Sequence, residues 1–469
     1  MAGFKKQCLI FILIAVCLVT WQTPCQAISL KEEKQLSQEF MRVVHHYYKL
    51  IDDPLINEYI NTIGQKILKQ VPQQPFEYKF HVIKEDVYNA FAIPAGYIFI
   101  NSGLLLAMES EDELAGILAH EISHVVCRHI SQRIEKSKKI DLASLAGLVA
   151  GVFLGSATGN LEAAQALTFG SLAAGQTLAL AYSREDESQA DHFGLVYLNK
   201  AGYSAQGLLK SLKKIRAKQW FGSNQIPTYV MTHPAVEDRI VAIDSWMATH
   251  TEATPIVHTN KIFKRMQLRL RALYEDIESA TVFFQSGLKS NPMDEEYAYG
   301  MGLTLARKKR YAEAAAYLQK ALTRNALDPA ILSDLGKVYF LDGRPKEALP
   351  LLKGATSLNG PNIEGWFYLG RTHITMGDYS AAASDFEKVL QKQGDYTPAY
   401  YYLGETYGKL GKKPEMHYYL GMFHFFKGEE RTAIYHLMHA QKEILDPTKK
   451  ETIKQVFEIL KKSPKPEEQ

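Results

Sequence analysis

Four glycines, Gly302, Gly336, Gly370 and Gly404, recur at one fixed interval, and no other feature constrains the fold of the carboxy-terminal half as tightly. Other positions keep the same register. Ala314, Ala348 and Ala382 fall twelve residues after their glycines, and Leu318, Leu352 and Phe386 sixteen after. Small residues recurring in this way let paired helices approach closely, while the larger side chains fill the gap between pairs. Each unit then buries its apolar face against the next, which predicts an all-α solenoid. A weaker copy precedes it, with Ala280 and Phe284 in register and Leu268 where glycine would stand. Another follows out of phase, with Gly421, Ala433, Leu437 and Ala440. The step from Gly404 to Gly421 is half the interval, so one helix is expected to serve two neighbouring units.

The amino-terminal half carries chemistry. His120, Glu121 and His124 form an HExxH set in the run from Gly116 to His129. Residues four apart share a helical face, so both imidazoles reach one cation while Glu121 projects beside it. Zinc takes neutral imidazole nitrogens, about three protein ligands, and an open position for water when it is catalytic. Glu121 would take that water's proton. A metzincin would need glycine three residues and histidine six residues after His124, where this chain has Cys127 and Ile130, so the completing ligand lies elsewhere. Glu187 and Asp191, again four apart, offer a third ligand and a hydrogen bond that fixes the tautomer of a ligand histidine. On charge pattern alone, Glu185, Asp186, Glu187 and Asp191 also read as an acidic solvated face.

The segment Asn-Ala-Phe-Ala-Ile-Pro-Ala-Gly-Tyr-Ile-Phe-Ile-Asn-Ser-Gly-Leu-Leu from Asn89 to Leu105, the HExxH run, and Ser-Arg-Glu-Asp-Glu-Ser-Gln-Ala-Asp ending at Asp191 resemble the gluzincin metallopeptidases of the HtpX and CAAX-prenyl-protease family. The resemblance covers about residues 30 to 250. Exported members with a tetratricopeptide tail, outer-membrane assembly proteases of the BepA type, match best. The glycine interval equals the tetratricopeptide period of about 34 residues. The resemblance implies one Zn2+ per chain held by His120, His124 and Glu187, and it reverses the solvated-face reading. Thr232-His-Pro-Ala-Val-Glu-Asp-Arg-Ile240 is similar to the family's downstream His-Pro and Arg element. His233 would then either stabilise the oxyanion or occupy the open zinc position and displace the water. Glu121, Asp191, His233 and Arg239 make up the expected catalytic set, and a plain His-Pro turn with Arg239 in a surface pair is the alternative.

Phe76 to Ile83 and Val87 to Ile93 read as strands ahead of the HExxH helix, giving an α+β zincin-like domain. Substrate is expected to add as a strand along Gly96 to Asn101, because Tyr97-Ile-Phe-Ile100 is β-branched and aromatic and follows a Pro-Ala-Gly turn. Asn89, Ala90, Tyr97, Ile98 and Phe99 are the expected contacts. Backbone pairing tolerates many side chains, which points to unfolded or misassembled proteins as substrates.

Lys5 and Lys6 precede an apolar stretch from Cys8 to Val19, and Cys25 and Ala27 suit the minus-three and minus-one positions of a signal-peptide cut after Ala27. The expected compartment is the periplasm. The apolar stretch is well short of the roughly 20 residues that span a bilayer. Cys127 is the one cysteine beyond this segment, so no internal disulfide is expected, and a small buried residue is favoured over a thiolate ligand. With 54 basic and 51 acidic side chains the charge gives no reason for a nucleic-acid partner. The basic run Lys261, Lys264, Arg265, Arg269 and Arg271 reads as a solvated face, or one set near anionic lipid in a peripheral membrane contact. Residues 142–161 and 163–183 are uncharged and rich in Ala, Gly and Leu, expected as lid helices beside the active site, with a membrane hairpin as the alternative.

The expected organisation is a signal peptide over 1–27, a metallopeptidase domain over 28–255 and tetratricopeptide repeats over 260–469. The chain is mostly helical on this reading. It is expected to be an exported zinc endopeptidase acting on misfolded or stalled envelope proteins, with repeats that bind clients or outer-membrane assembly machinery. The competing class is an assembly chaperone or scaffold whose zinc site His233 holds shut.

Overall fold

The computed structural model describes residues 28–136, 182–221, 228–250, 260–323, 326–358 and 362–462. The expected signal peptide over 1–27, all but the end of the 142–183 segment, and residues 251–259 lie outside these residues. Two compact units emerge, one built on Asn57–Lys264 with the residues up to Asp52, the other on Arg265 onward with Asp53–Ile56.

In the first unit three short strands, β1 (Lys79–Ile83), β2 (Ala90–Ile93) and β3 (Tyr97–Asn101), form a mixed sheet in the order β1-β3-β2. β3 runs parallel to β1, with Lys79 opposite Tyr97, and antiparallel to β2, with Phe91 opposite Phe99. The turn between β2 and β3 is as tight as Pro94-Ala-Gly96 suggested. Gly96 has φ +85, and a Cβ there would lie 2.9 Å from the Glu77 carbonyl oxygen, so only glycine fits. The substrate-strand expectation for β3 is corrected by this topology. Tyr97, Ile98 and Phe99 lie on the central strand, bonded on both sides, and Ile98 and Phe99 are buried in the core. Strand order depends on the pairing of β1 with β3, which lies beyond β2 in the chain, and local pattern does not encode a partner that distant.

Helix α1 (Leu30–Tyr47) starts with a capping box between Ser29 and Glu32 and lays Leu36, Phe40 and Val44 on the sheet's core with Phe91 and Phe99. α2 (Pro54–Leu68) precedes the sheet and α3 (Ser102–Ala107) follows it. α4 (Glu111–Val126), capped by Ser110, is buried at every position from Glu113 to Val125. The buried charge of Glu113 is met by Lys214 Nζ at 2.8 Å. α5 (His129–Lys136) follows directly. Beyond the undescribed stretch come α6 (Arg184–Lys200), α7 (Gln206–Phe221), α8 (Thr228–Thr232) and α9 (Val236–Thr249). α6 presses onto α4 at Gly194, where a Cβ would sit 3.3 Å from the backbone of Ala119 and His120.

The second unit is helical throughout its described residues. α10 (Asn260–Tyr274) and α11 (Ile277–Ser290) lead into the pairs α12 (Glu295–Arg307) with α13 (Tyr311–Ala321), α14 (Pro329–Leu341) with α15 (Pro345–Leu358), and α16 (Ile363–Thr375) with α17 (Tyr379–Lys392). Then follow α18 (Thr397–Lys409), α19 (Lys413–Phe426), α20 (Glu430–Glu443) and α21 (Pro447–Lys462). The small-to-large register is a set of contacts. Cβ atoms added at Gly302, Gly336 and Gly370 would strike Leu318, Leu352 and Phe386 within 2.8 Å. Gly404 meets Leu420 in the same way, and Gly421 meets Leu437. α19 therefore gives Leu420 to the pair before it and Gly421 to the pair after it, so it is the shared helix that the half-period slip implied.

The basic run is corrected. Lys261 and Lys264 are exposed, but Arg269 is 3% exposed, with its guanidinium 2.6 Å from Asp334 and bonded to the Tyr299 hydroxyl, and Arg265 donates to Glu296 at 2.8 Å. Their partners lie on other helices, well along the chain and out of reach of a local charge pattern. The aromatic residues of α18 and α19 divide between interior and surface. Tyr400, Tyr407, Tyr418 and Tyr419 are buried, whereas Tyr401 and Phe426 remain exposed.

The shared helix makes a stability prediction. Leu437→Ala is expected to cost about 2–5 kcal/mol in urea unfolding, and Gly421→Ala, which overpacks Leu437, about 1–3 kcal/mol. The double variant is expected to fall short of the sum, because the added methyl fills the space that Leu437 vacates. Simple additivity would show that the two residues do not pack as described.

Candidate metal centre

α4 carries His120, Glu121 and His124 on one face, at most 2% exposed. α6 brings Glu187 and Asp191 to the same place. Its first turn is set by Ser183, which accepts from the Asp186 amide and donates its own amide to the Asp186 carboxylate, while Arg133 holds Asp186 at 2.6 Å. Asp186 therefore caps the helix, Glu185 faces solvent, and Glu187 and Asp191 turn inward, buried. This is not the solvated acidic face that charge pattern alone allowed.

His233 arrives between α8 and α9. Its amide donates to the Tyr229 carbonyl at 2.7 Å, and its ring stacks on Tyr229 at 4.3 Å. Ala235, at φ +60, then turns the chain into α9, which places Arg239 inward at 3% exposure.

Ligand-type atoms of His120, His124, Glu187 and His233 all lie within 4.8 Å of one another. His120 Nε2 and His124 Nε2 are 3.0 Å apart, His120 Nε2 is 3.4 Å from His233 Nδ1, and Glu187 Oε1 is 3.1 Å from His233 Nδ1 and 3.3 Å from His124 Nε2. Donors about 2.0–2.2 Å from a tetrahedral zinc stand roughly 3.3 Å from each other, so the spacing and the three-nitrogen, one-carboxylate set both fit the metal. Both Glu121 carboxylate oxygens and His233 Nε2 are buried without a hydrogen bond, polar atoms of the kind that a bound ion and its water satisfy.

Charge is balanced around the cluster. Asp191 Oδ1 lies 2.8 Å from His120 Nδ1, which leaves His120 Nε2 facing the cluster. Arg239 bridges the two carboxylates of α6, with Nε 2.7 Å from Asp191 Oδ2, Nη2 donating to Asp191 Oδ1 at 2.8 Å, and Nη1 2.6 Å from Glu187 Oε2. Burial alone would raise the Glu187 carboxyl, but Arg239 and the surrounding histidines outweigh it and hold it well below the usual range. Asp191 is lowered by the same contest, with Arg239 and His120 prevailing over burial. For Glu121 burial wins and pushes the carboxyl upward, a direction suited to a group that both takes and returns a proton.

Four neighbours were not singled out in the sequence. His124 Nδ1 meets His129 Nδ1 at 2.9 Å, and His129 Nε2 meets Gln189 Oε1 at 2.8 Å. Tyr182 stacks on His124 at 3.6 Å and sends its hydroxyl to the Ala92 carbonyl at 3.4 Å, tying the cluster to β2. Tyr229 backs His233. Some of this was readable, since Tyr229 is four residues before His233 and Tyr182 directly precedes the Ser183 cap. His129 was not, because Arg128 at φ +54 breaks the helix and folds it back toward His124. Cys127 is partly buried, its thiol pushed up to about 11 by burial, and it is not among the four clustered donors.

Residues 54–247 match peptidase family M48, and 278–329, 305–369 and 363–391 match tetratricopeptide repeats. A beta-barrel assembly-enhancing protease of Yersinia pestis is 28% identical over 319 residues, 67% of this chain and 63% of that protein. The protein of the same name from Escherichia coli K12 is 24% identical over 387 residues, 75% of this chain and 78% of that one. The mitochondrial metalloendopeptidase OMA1 of Schizosaccharomyces pombe is 26% identical over 229 residues, 47% of this chain and 62% of that protein. The chain therefore carries a metallopeptidase domain of family M48, followed by tetratricopeptide repeats.

Proposed function

We propose that this protein is an exported zinc endopeptidase of unfolded or misassembled envelope proteins, at rest in a self-inhibited state. His120, His124 and Glu187 would hold the metal, and His233 would stand where the attacking water belongs. The observation that carries this reading is His233 Nδ1, 3.1 Å from Glu187 and inside the donor cluster rather than beside it. Zinc held there supplies a Lewis acid for the scissile carbonyl and brings water acidity toward about pH 7. Glu121 takes the proton of the attacking water and returns it to the leaving amine. Asp191 fixes the tautomer of His120, and Arg239 keeps Asp191 and Glu187 ionised without touching substrate.

A matching device supports His124. With the Gln189 oxygen facing the ring, His129 carries its proton on Nε2, so its Nδ1 accepts from His124 Nδ1–H and leaves His124 Nε2 as the donor to metal. The substrate strand moves from β3 to β2, the border of the sheet that Tyr182 links to His124, with Ala90 as its first residue and Asn89 just before it. Export rests on the amino-terminal signal pattern. The relatives named for β-barrel assembly support an outer-membrane client or assembly partner for the repeats. The closed cluster also supports the scaffold reading while His233 stays in place.

Glu121→Gln is expected to keep the zinc of the His120, His124 and Glu187 cluster and lose about 10²–10⁴-fold in casein hydrolysis. A Glu121→Gln protein that still cleaves would end the peptidase assignment. His233→Ala is expected to raise hydrolysis several-fold at unchanged zinc content, whereas a loss of turnover would assign His233 to oxyanion stabilisation instead. Gln189→Leu and His129→Ala are expected to weaken zinc about 10- to 100-fold in chelator competition, with Gln189→Glu close to wild type because it keeps an acceptor. Equal zinc affinity in all three would remove the relay.

A further inference from the structure

Four of the 15 histidines sit on α19 and α20, and the peptidase reading gives them no task. His417 and His424 are seven apart on α19, and His436 and His439 three apart on α20, so each pair shares a face. The faces meet. His417 Nδ1 is 3.0 Å from His436 Nδ1, the ring of His439 stacks on that of His417 at 5.0 Å and 23°, and the ring of His424 lies parallel to that of His436 at 5.6 Å and 10°. The Glu429 carboxylate orients His424 through its Nδ1.

These rings are not the packing of the helix pair. Tyr418, Tyr419, Met422, Leu437 and Ala440 fill that role, all buried. His417, His424 and His436 are half-buried and His439 is exposed, so a solute reaches them. A solvated helix face is ordinarily lysine and glutamate, and four imidazoles in their place are a concentration of nitrogen donors. Two donors of one tetrahedral ion stand roughly 3.3 Å apart, close to the observed approach. Burial and the three neighbouring imidazoles push His436 down to about 4, which keeps it in the neutral form that binds metal. Burial and His439 lower His417 as well, with Lys413 acting in the same direction and Glu443, one turn beyond His439, opposing them.

We propose that His417 and His436, joined by rotation of the exposed His439 side chain, bind a divalent transition-metal ion on the repeats. Imidazole donors select zinc, nickel or copper over magnesium or calcium. Such an ion joins α19 to α20 at the point where one helix serves two repeats. Without it, His417 and His436 merely share a proton between their rings.

The test is zinc stoichiometry of the full mature chain after dialysis against micromolar zinc. Wild type is expected to hold two ions, and His417→Gln with His436→Gln one, with unchanged helical circular dichroism and casein hydrolysis. His120→Ala with His124→Ala is expected to keep one ion, which separates this site from the peptidase cluster. No ion in that last variant, or no loss on removing His417 and His436, would overturn the proposal.

Discussion

Arg239 is the charge on which the catalytic half depends. Glu121, Glu187 and Asp191 are three carboxylates buried within one small volume, and burying an ion costs several kcal/mol unless it is paired. Arg239 spans two of them from a third element, at 2.6 to 2.8 Å, so it fixes α9 to α6 as well as setting the charge of both groups. Asp191 in turn grips His120 on α4. The same contacts that hold three helices together therefore orient the donors, and stability and metal geometry are not separable here.

What the sequence disclosed follows from how local the cause was. HExxH and the Glu187–Asp191 pair depend on four-residue helical spacing, and the fold brings the two pairs into one cluster. The repeats depend on a period, and even the half-period slip reappears as Leu420 and Gly421 meeting different neighbours of α19. Failures came where the partner was distant. β3 looked like an edge because its composition suits any strand, while its central place comes from pairing with β1. Arg265 and Arg269 looked solvated because Glu296 and Asp334 belong to helices that only folding brings near. His129 became a neighbour of His124 through a left-handed residue that nothing in the run announced.

Backbone strain is concentrated around the site. Among the described residues four other than glycine have positive φ, namely Ala95, Arg128, Ala235 and Lys309. A left-handed conformation costs a residue with Cβ roughly 1–2 kcal/mol. Ala95 lies in the turn between β2 and β3 and lines one small cavity with His124 and Tyr182, Arg128 returns His129 to His124, and Ala235 follows the His233-Pro234 turn. Strain of this kind persists where surrounding contacts over-determine the backbone, and here those contacts are the Arg128–Glu33 pair at 2.7 Å and the inward anchoring of Arg239.

That anchoring constrains how a closed centre opens. On the self-inhibited reading His233 has to leave the donors, yet Arg239, six residues on, must stay to keep Glu187 and Asp191 ionised. The movement is therefore confined to α8 and the turn through Ala235, and it gives up the Tyr229 stack and the contact with Glu187. Relief of the left-handed Ala235 offsets part of that loss. A substrate or partner shifts the balance only by the difference in its affinity for the open and closed forms. Tight binding to a surface that is the same in both forms leaves the peptidase shut, so an activating contact must reach the 228–235 segment or occupy the position that His233 vacates.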